Sequence, residues 1–181
     1  MATPDTASSR DPADDVPAVP ISLQHCPTLA GRVIPWISAR TSTRVLFGAI
    51  DQQRATTALR QRLCGVCGQA LHDRLVLLMR LSDLPRHRTN EPPLHPWCAA
   101  YSTTACPMLA GQMRRYRSSG PALAASMLPA SDTAARRGAP AEPWFAVWLS
   151  AYDLAADGEN LVAVFTPDQV LRIRPITWRL R

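Results

Sequence analysis

Lysine is absent from this chain of 181 residues, so all twenty basic side chains are arginine, set against fourteen acids for a formal net charge of +6. Arginine codons are GC-rich, as are those of the abundant alanine and proline, and base composition alone accounts for the missing lysine. The chemical consequence stands either way: every cation offered to a partner is a planar fork suited to phosphate or carboxylate. Long apolar runs are lacking too. The longest, Leu75-Val76-Leu77-Leu78-Met79 and Trp144-Phe145-Ala146-Val147-Trp148-Leu149, fall far short of the roughly 18–20 residues of a bilayer-crossing helix, which argues against a membrane protein. The first residues carry Asp5, Asp11, Asp14 and Asp15 instead of the basic and then apolar order of an export signal, so a cytoplasmic, reducing location is expected. There the five cysteines, an odd number, read as metal ligands or buried thiols, not as a disulfide framework.

The length fits one domain with appendages. Residues 1–20, with four Asp and four Pro among small residues, are expected as a disordered acidic tail; the rest holds nineteen arginines against ten acids, a net +9. Residues 118–142, with two Gly, three Pro and much Ala, read as a flexible linker or loop. These stretches are expected to delimit a cysteine-bearing module with N-terminal strands over 21–117 and a C-terminal β segment over 143–181 that packs on it.

Short strands are expected within 32–37 and 43–50, the first limited to an edge by Pro35. Asp51 is placed to cap a helix over 52–63, on which Ala55, Ala58, Leu59 and Leu63 recur at helical spacing. Leu75–Leu81 suits a strand, 82–94 a polar, Pro-rich loop, and His95-Pro96 a helix start running to about Cys106 before Pro107. Beyond the linker, Trp144–Tyr152, Leu161–Phe165 and Gln169–Arg174 read as three antiparallel strands in a meander, with Asp157-Gly158 as a turn.

The chemistry concentrates in two ligand pairs. Cys64-Gly65-Val66-Cys67-Gly68 is a CxxCG knuckle, in which a tight turn converges two thiolates on one ion and Gly supplies the positive φ. His95-Pro96-Trp97-Cys98 supplies a second pair, three residues apart on one face of a helix start. Together Cys64, Cys67, His95 and Cys98 make a Cys3His set typical of structural zinc. The order knuckle, β structure, helix start is that of a treble-clef finger over about 62–106.

The remaining candidates divide by position. Cys106 lies eight residues beyond Cys98, about 12 Å along a helix axis, too far for the same ion, and reads as a small buried apolar residue. His25-Cys26 is assigned a surface or packing role and His72 an exposed one. Trp36, Trp97, Trp144, Trp148 and Trp178 read as packing residues. A deaminase would need a His or Cys before Glu and then Pro-Cys-x-x-Cys, which this order does not supply. An HNH-like nuclease would draw on His87, Asn90 and His95, of which His95 is already assigned to zinc. Arg114, Arg115 and Arg117, interleaved with Tyr116, form an Arg-aromatic cluster that suits phosphates and bases.

The segments Arg62-Leu63-Cys64-Gly65-Val66-Cys67-Gly68, Glu91-Pro92-Pro93-Leu94-His95-Pro96-Trp97-Cys98-Ala99-Ala100-Tyr101 and Ala105-Cys106-Pro107-Met108-Leu109-Ala110, with Ile34-Pro35-Trp36-Ile37 upstream, resemble a group of small, uncharacterised zinc-binding, treble-clef-like proteins of actinobacteria and their phages. The resemblance covers about residues 31–110. It implies metal binding by Cys64, Cys67, His95 and Cys98 and carries no particular activity with it.

The expectation is therefore an α+β protein: a treble-clef zinc module with a flanking helix, short strands and a C-terminal antiparallel β-meander. Its expected role is a non-enzymatic zinc-stabilised binding or adaptor protein, with nucleic acid or a protein as partner. The alternatives are an enzyme with its site on the β portion and a relative of HNH nucleases.

Overall fold

Apolar side chains are spaced so that no single segment can bury them alone, and the fold that results is mixed α+β. It is described by a computed structural model over residues 16–118, 135–158 and 160–177. The first hairpin pairs β1 (Thr28–Leu29) with β2 (Arg32–Val33), and the second pairs β3 (Ser38–Arg40) with β4 (Val45–Ile50), both antiparallel. The run 32–37 does not continue as a strand past Val33. Pro35 cannot donate to a ladder, and the N–H groups of Trp36 and Ile37 instead donate to the carbonyls of Val66 and Gly65 at 2.9 and 3.2 Å.

Helix α1 (Gln52–Gln61) starts where expected, with the Asp51 carboxylate accepting from the Arg54 N–H at 3.1 Å. It buries Ala55, Ala58 and Leu59 and ends two residues before Leu63, because Arg62 turns left-handed at φ 53°. The Tyr152 hydroxyl donates to the Leu59 carbonyl at 2.7 Å, and Arg62 lies over the Tyr152 ring at 5.1 Å. Those two contacts bind the end of α1 to the C-terminal part of the chain.

β5 (Leu75–Arg80) is buried along its whole length, as an uninterrupted apolar run suits a strand covered on both faces. It pairs antiparallel with β7 (Trp144–Leu149), which pairs on its other side with β10 (Val170–Thr177). Between these, β6 (Arg88–Thr89), β9 (Asn160–Val164) and β8 (Asp153–Asp157) form a second three-stranded sheet in the order β6-β9-β8. The expected three-strand C-terminal meander is thus corrected. β7 has both edges occupied, by β5 and β10, so the β8–β9 hairpin cannot join it and pairs with β6 instead. The hairpin itself turns as expected, with Asp157 opposite Asn160 and Gly158 at φ 61°. The segment 82–94 is likewise more than a loop, holding a 3-10 turn over Leu84–Arg86 as well as β6.

Helix α2 (Pro96–Ala105) has His95 at its N-cap and Pro96 in its first turn, where a missing N–H costs nothing. It packs against β5. The core that joins these elements includes Leu23, Leu75, Val76, Leu77, Met79, Val147 and Leu149, all fully buried. Fully burying side chains of this size contributes roughly 1.5–3 kcal/mol each.

Both segments expected to be loose extend into the described residues. Residues 1–15 and 119–134 lie outside them, but Val19, expected in the tail, packs on the core. Residues 135–142, expected in the linker, are tied down: Arg136 reaches Glu142 at 3.2 Å and Asp83 at 3.8 Å, and Pro140 bridges to Arg115. Burial pushes the Glu142 carboxyl up, but hydrogen bonding from Ser82 and the Arg136 charge outweigh it, and the net direction is down. No helix among the described residues is long and apolar enough to cross a membrane.

Candidate metal centre

The knuckle is built by backbone hydrogen bonds before any side chain is considered. The Cys64 N–H donates to the Gln69 carbonyl and the Gly68 N–H to that of Cys64, both at 2.8 Å, while Leu63 and Ala70 bridge across the turn. Gly68 sits at φ 74°, and a Cβ there would lie 2.7 Å from the Trp36 ring, so both backbone conformation and space demand glycine. A second set of bonds brings the other ligand pair alongside. Gly65 N–H donates to the Pro93 carbonyl at 3.0 Å, and Val76 and Leu94 exchange bonds at 2.9 Å in each direction. The core strand β5 thereby holds the residue that precedes His95.

Cys64, Cys67, His95 and Cys98 converge, with one ligand atom from each lying within 4.8 Å of the others. His95 Nδ1 is 3.4 Å from Cys67 Sγ and 3.9 Å from Cys98 Sγ. A tetrahedral ion with bonds of about 2.3 Å to sulfur and about 2.0–2.1 Å to nitrogen sets its ligand atoms somewhat under 4 Å apart, so the donor set fits. The other imidazole nitrogen, Nε2, lies 3.0 Å from the Ala70 carbonyl. A carbonyl only accepts, so that hydrogen bond assigns the proton to Nε2 and leaves the Nδ1 lone pair aimed at the thiols. Cys64, Cys98 and His95 are buried and Cys67 is half-buried.

Crowding three thiols concentrates negative charge on one of them. Hydrogen bonds from Cys64 and then Cys98 pull the Cys67 thiol down to about 2. Cys64 is pushed up to about 11, first by its hydrogen bond with Cys67, and Cys98 is also pushed up, first by its bond with Cys64. A cation placed among them would relieve the repulsion that keeps the second and third protons on.

The surroundings match the assigned roles in part. Cys26 is buried near the knuckle, 3.5 Å from His25 Nε2, which also lies 3.1 Å from Gln69 Nε2. Cys106 is half-buried against the core and His72 is exposed. Trp144 is buried and Trp36 and Trp148 half-buried; Trp178 lies outside the described residues. Trp97 departs from the expected packing role: it is 46 % exposed, with its ring stacked on His95 at 4.4 Å.

Of the Arg-aromatic cluster, Arg114, Arg115 and Arg117 are exposed. Arg115 donates to the Gly138 carbonyl at 3.0 Å and Arg117 to that of Phe47 at 3.2 Å. Tyr116 is half-buried, its hydroxyl accepting from the Glu142 N–H at 3.4 Å. The nuclease candidates separate. His87 is exposed and stacked on Phe165, while His95 belongs to the Cys3His cluster. Among the described residues that cluster is the only group of three or more metal-ligating side chains. The Ala70 carbonyl and the Trp36 and Ile37 N–H groups, which orient the site, are backbone groups with no sequence signal of their own. Comparison with protein-family models, with curated proteins and with solved structures gives no match for this chain.

Proposed function

We propose that this protein is a non-enzymatic, zinc-stabilised binding or adaptor protein of the reducing cytoplasm, organised around a treble-clef Cys3His centre. One observation carries the reading: four protein donors from two paired half-sites meet within 4.8 Å. Four protein ligands fill a tetrahedral shell and leave no position for a substrate or an activated water, which is how structural zinc sites differ from catalytic ones. When bound, zinc would be held by Cys64, Cys67, His95 and Cys98 and would supply cross-linking between the knuckle and the start of α2.

Elemental analysis of purified chain tests this directly, with one zinc per chain expected. A Cys98→Ser variant should lose the metal and much of the associated stabilisation, which in small zinc fingers is on the order of 10 kcal/mol. Metal-free wild type with unchanged melting would refute it. For the partner, the exposed Arg114, Arg115 and Arg117 favour nucleic acid. Replacing all three with Ala should weaken binding to every sequence alike and flatten the salt dependence by about 0.7–0.9 per lost phosphate contact. Absence of retention on DNA or RNA at low salt would direct the search to a protein partner.

A further inference from the structure

A polar cleft of about 80 Å³ opens between the turn that follows β5, strand β6 and the β8–β9 hairpin, with Arg136 on one side. That is room for several waters or for one tetrahedral oxyanion. Three guanidinium groups line it, those of Arg86, Arg88 and Arg136, against two carboxylates, Asp83 and Asp157.

The two carboxylates are not equivalent. Asp83 is already engaged, accepting from the buried Arg80 at its backbone N–H (3.1 Å) and its guanidinium (3.2 Å) and lying 3.8 Å from Arg136. Asp157 meets Arg88 only at 3.7 Å, with Arg88 half-buried and Asp157 exposed, a long and partly solvated geometry that contributes little. Arg136 is braced by Glu142 and serves as a wall. Arg86 is exposed, and its guanidinium has no hydrogen-bond or ion-pair partner among the described residues. Two forks with little to satisfy them thus flank His87, whose left-handed φ of 48° reverses the chain between them. Pairing of β6 with β9, Arg88 opposite Val164, fixes this segment to the sheet. Asn90, also on the lining, adds an amide donor.

We propose that this cleft is an oxyanion site that takes a phosphoryl group through the guanidinium forks of Arg86 and Arg88. The group is either free phosphate or a phosphodiester of a nucleic-acid strand, since both present the same tetrahedral oxygens to a fork. Asp157 occupies the site weakly in the absence of the anion and yields Arg88 to it. The site is separate from the metal centre and does not depend on its occupant.

The test uses the full chain, with inorganic phosphate and a short single-stranded oligothymidylate as probes, titrated at low salt in a chloride buffer. Binding is followed by calorimetry and by the arginine Nε–H resonances. Phosphate is expected to shift the Arg86 and Arg88 resonances, and Arg86→Gln with Arg88→Gln should weaken binding at least about tenfold, as loss of charged hydrogen bonds does. Binding of the oligonucleotide alone, with the same arginine dependence, assigns the site to a phosphodiester and also supports the proposal. Asp157→Asn should strengthen binding of whichever probe is taken, a gain that unfolding cannot mimic. Failure of both probes to bind, binding that survives the double Gln variant, or unchanged affinity in Asp157→Asn overturns it.

Discussion

His95 and Ala70 are joined by a 3.0 Å hydrogen bond from the imidazole Nε2 to the backbone carbonyl, and that bond decides which nitrogen faces the three thiols. One face of the ring is covered by the exposed Trp97, 4.4 Å away and nearly parallel. The ligand is thus oriented by a backbone group of the knuckle itself, so the two half-sites are coupled even before an ion is considered.

The first expectation follows from that coupling. His95→Cys retains a fourth donor at the start of α2 and should keep one metal per chain, because shells of four thiolates suit zinc equally. His95→Ala leaves three thiolates and an open position, and should bind metal more weakly and melt lower. Metal content and thermal melting of the two variants, measured side by side, check this ordering.

Gly68→Ala should destabilise by about 1–3 kcal/mol, because the residue sits at φ 74° and its new methyl would press on the Trp36 ring at 2.7 Å. Denaturant midpoints at constant slope report the loss. A companion Gly158→Ala, at φ 61° but with nothing within 4 Å of the added carbon, separates the two effects: it should lose only the conformational part.

Tyr152 is buried and its phenol is pushed up to about 12 from the usual 10, chiefly by burial, with the Arg62 charge opposing. Below pH 10 the phenol is neutral whether folded or unfolded, and its contribution is fully present. Between pH 10 and 12 the unfolded chain ionises while the folded one does not, so stability falls by about 2–3 kcal/mol across that window. Tyr152→Phe should lower stability at neutral pH by about 1 kcal/mol through loss of the bond to Leu59 and flatten the alkaline decline. Melting curves from pH 8 to 12 for both proteins give the comparison.

Arg80 joins the end of β5 to Asp83 at 3.2 Å and Glu91 at 2.6 Å, and lies 4.5 Å over the Trp144 ring. Arg80→Met removes the cation shared by these carboxylates and should cost about 3–5 kcal/mol, as removal of one member of a buried ion pair does. Combining it with Glu91→Gln should recover part of the loss, and a double-mutant cycle measures that coupling.

The Cys3His cluster and the two described helices are legible in the sequence because each rests on local chemistry: two Cys/His pairs at fixed spacing, a carboxylate cap at Asp51, and a proline in the first turn after His95. The division of the strands is not legible there. Whether β7 takes β5 or β8 as neighbour depends on pairing between residues about seventy positions apart, Leu75 with Leu149 for example, and no local pattern encodes that. Arg88-Thr89 gives no sign of a strand because two polar residues show no period. Arg136 reads as mobile from its Ala- and Gly-rich neighbours, yet its fate is set by Asp83 and Glu142, of which Asp83 lies far away in sequence.

Among the described residues β10 is an outer strand of the β10-β7-β5 sheet, and it carries Leu171 and Ile173, 53 % and 49 % exposed. An open apolar edge is a template on which a second chain can stack. Arg172 and Arg174, also on β10, would face like charges in any self-pairing register that set them opposite one another. Repulsion between those arginines would oppose such stacking, and least well at high salt, where it is screened.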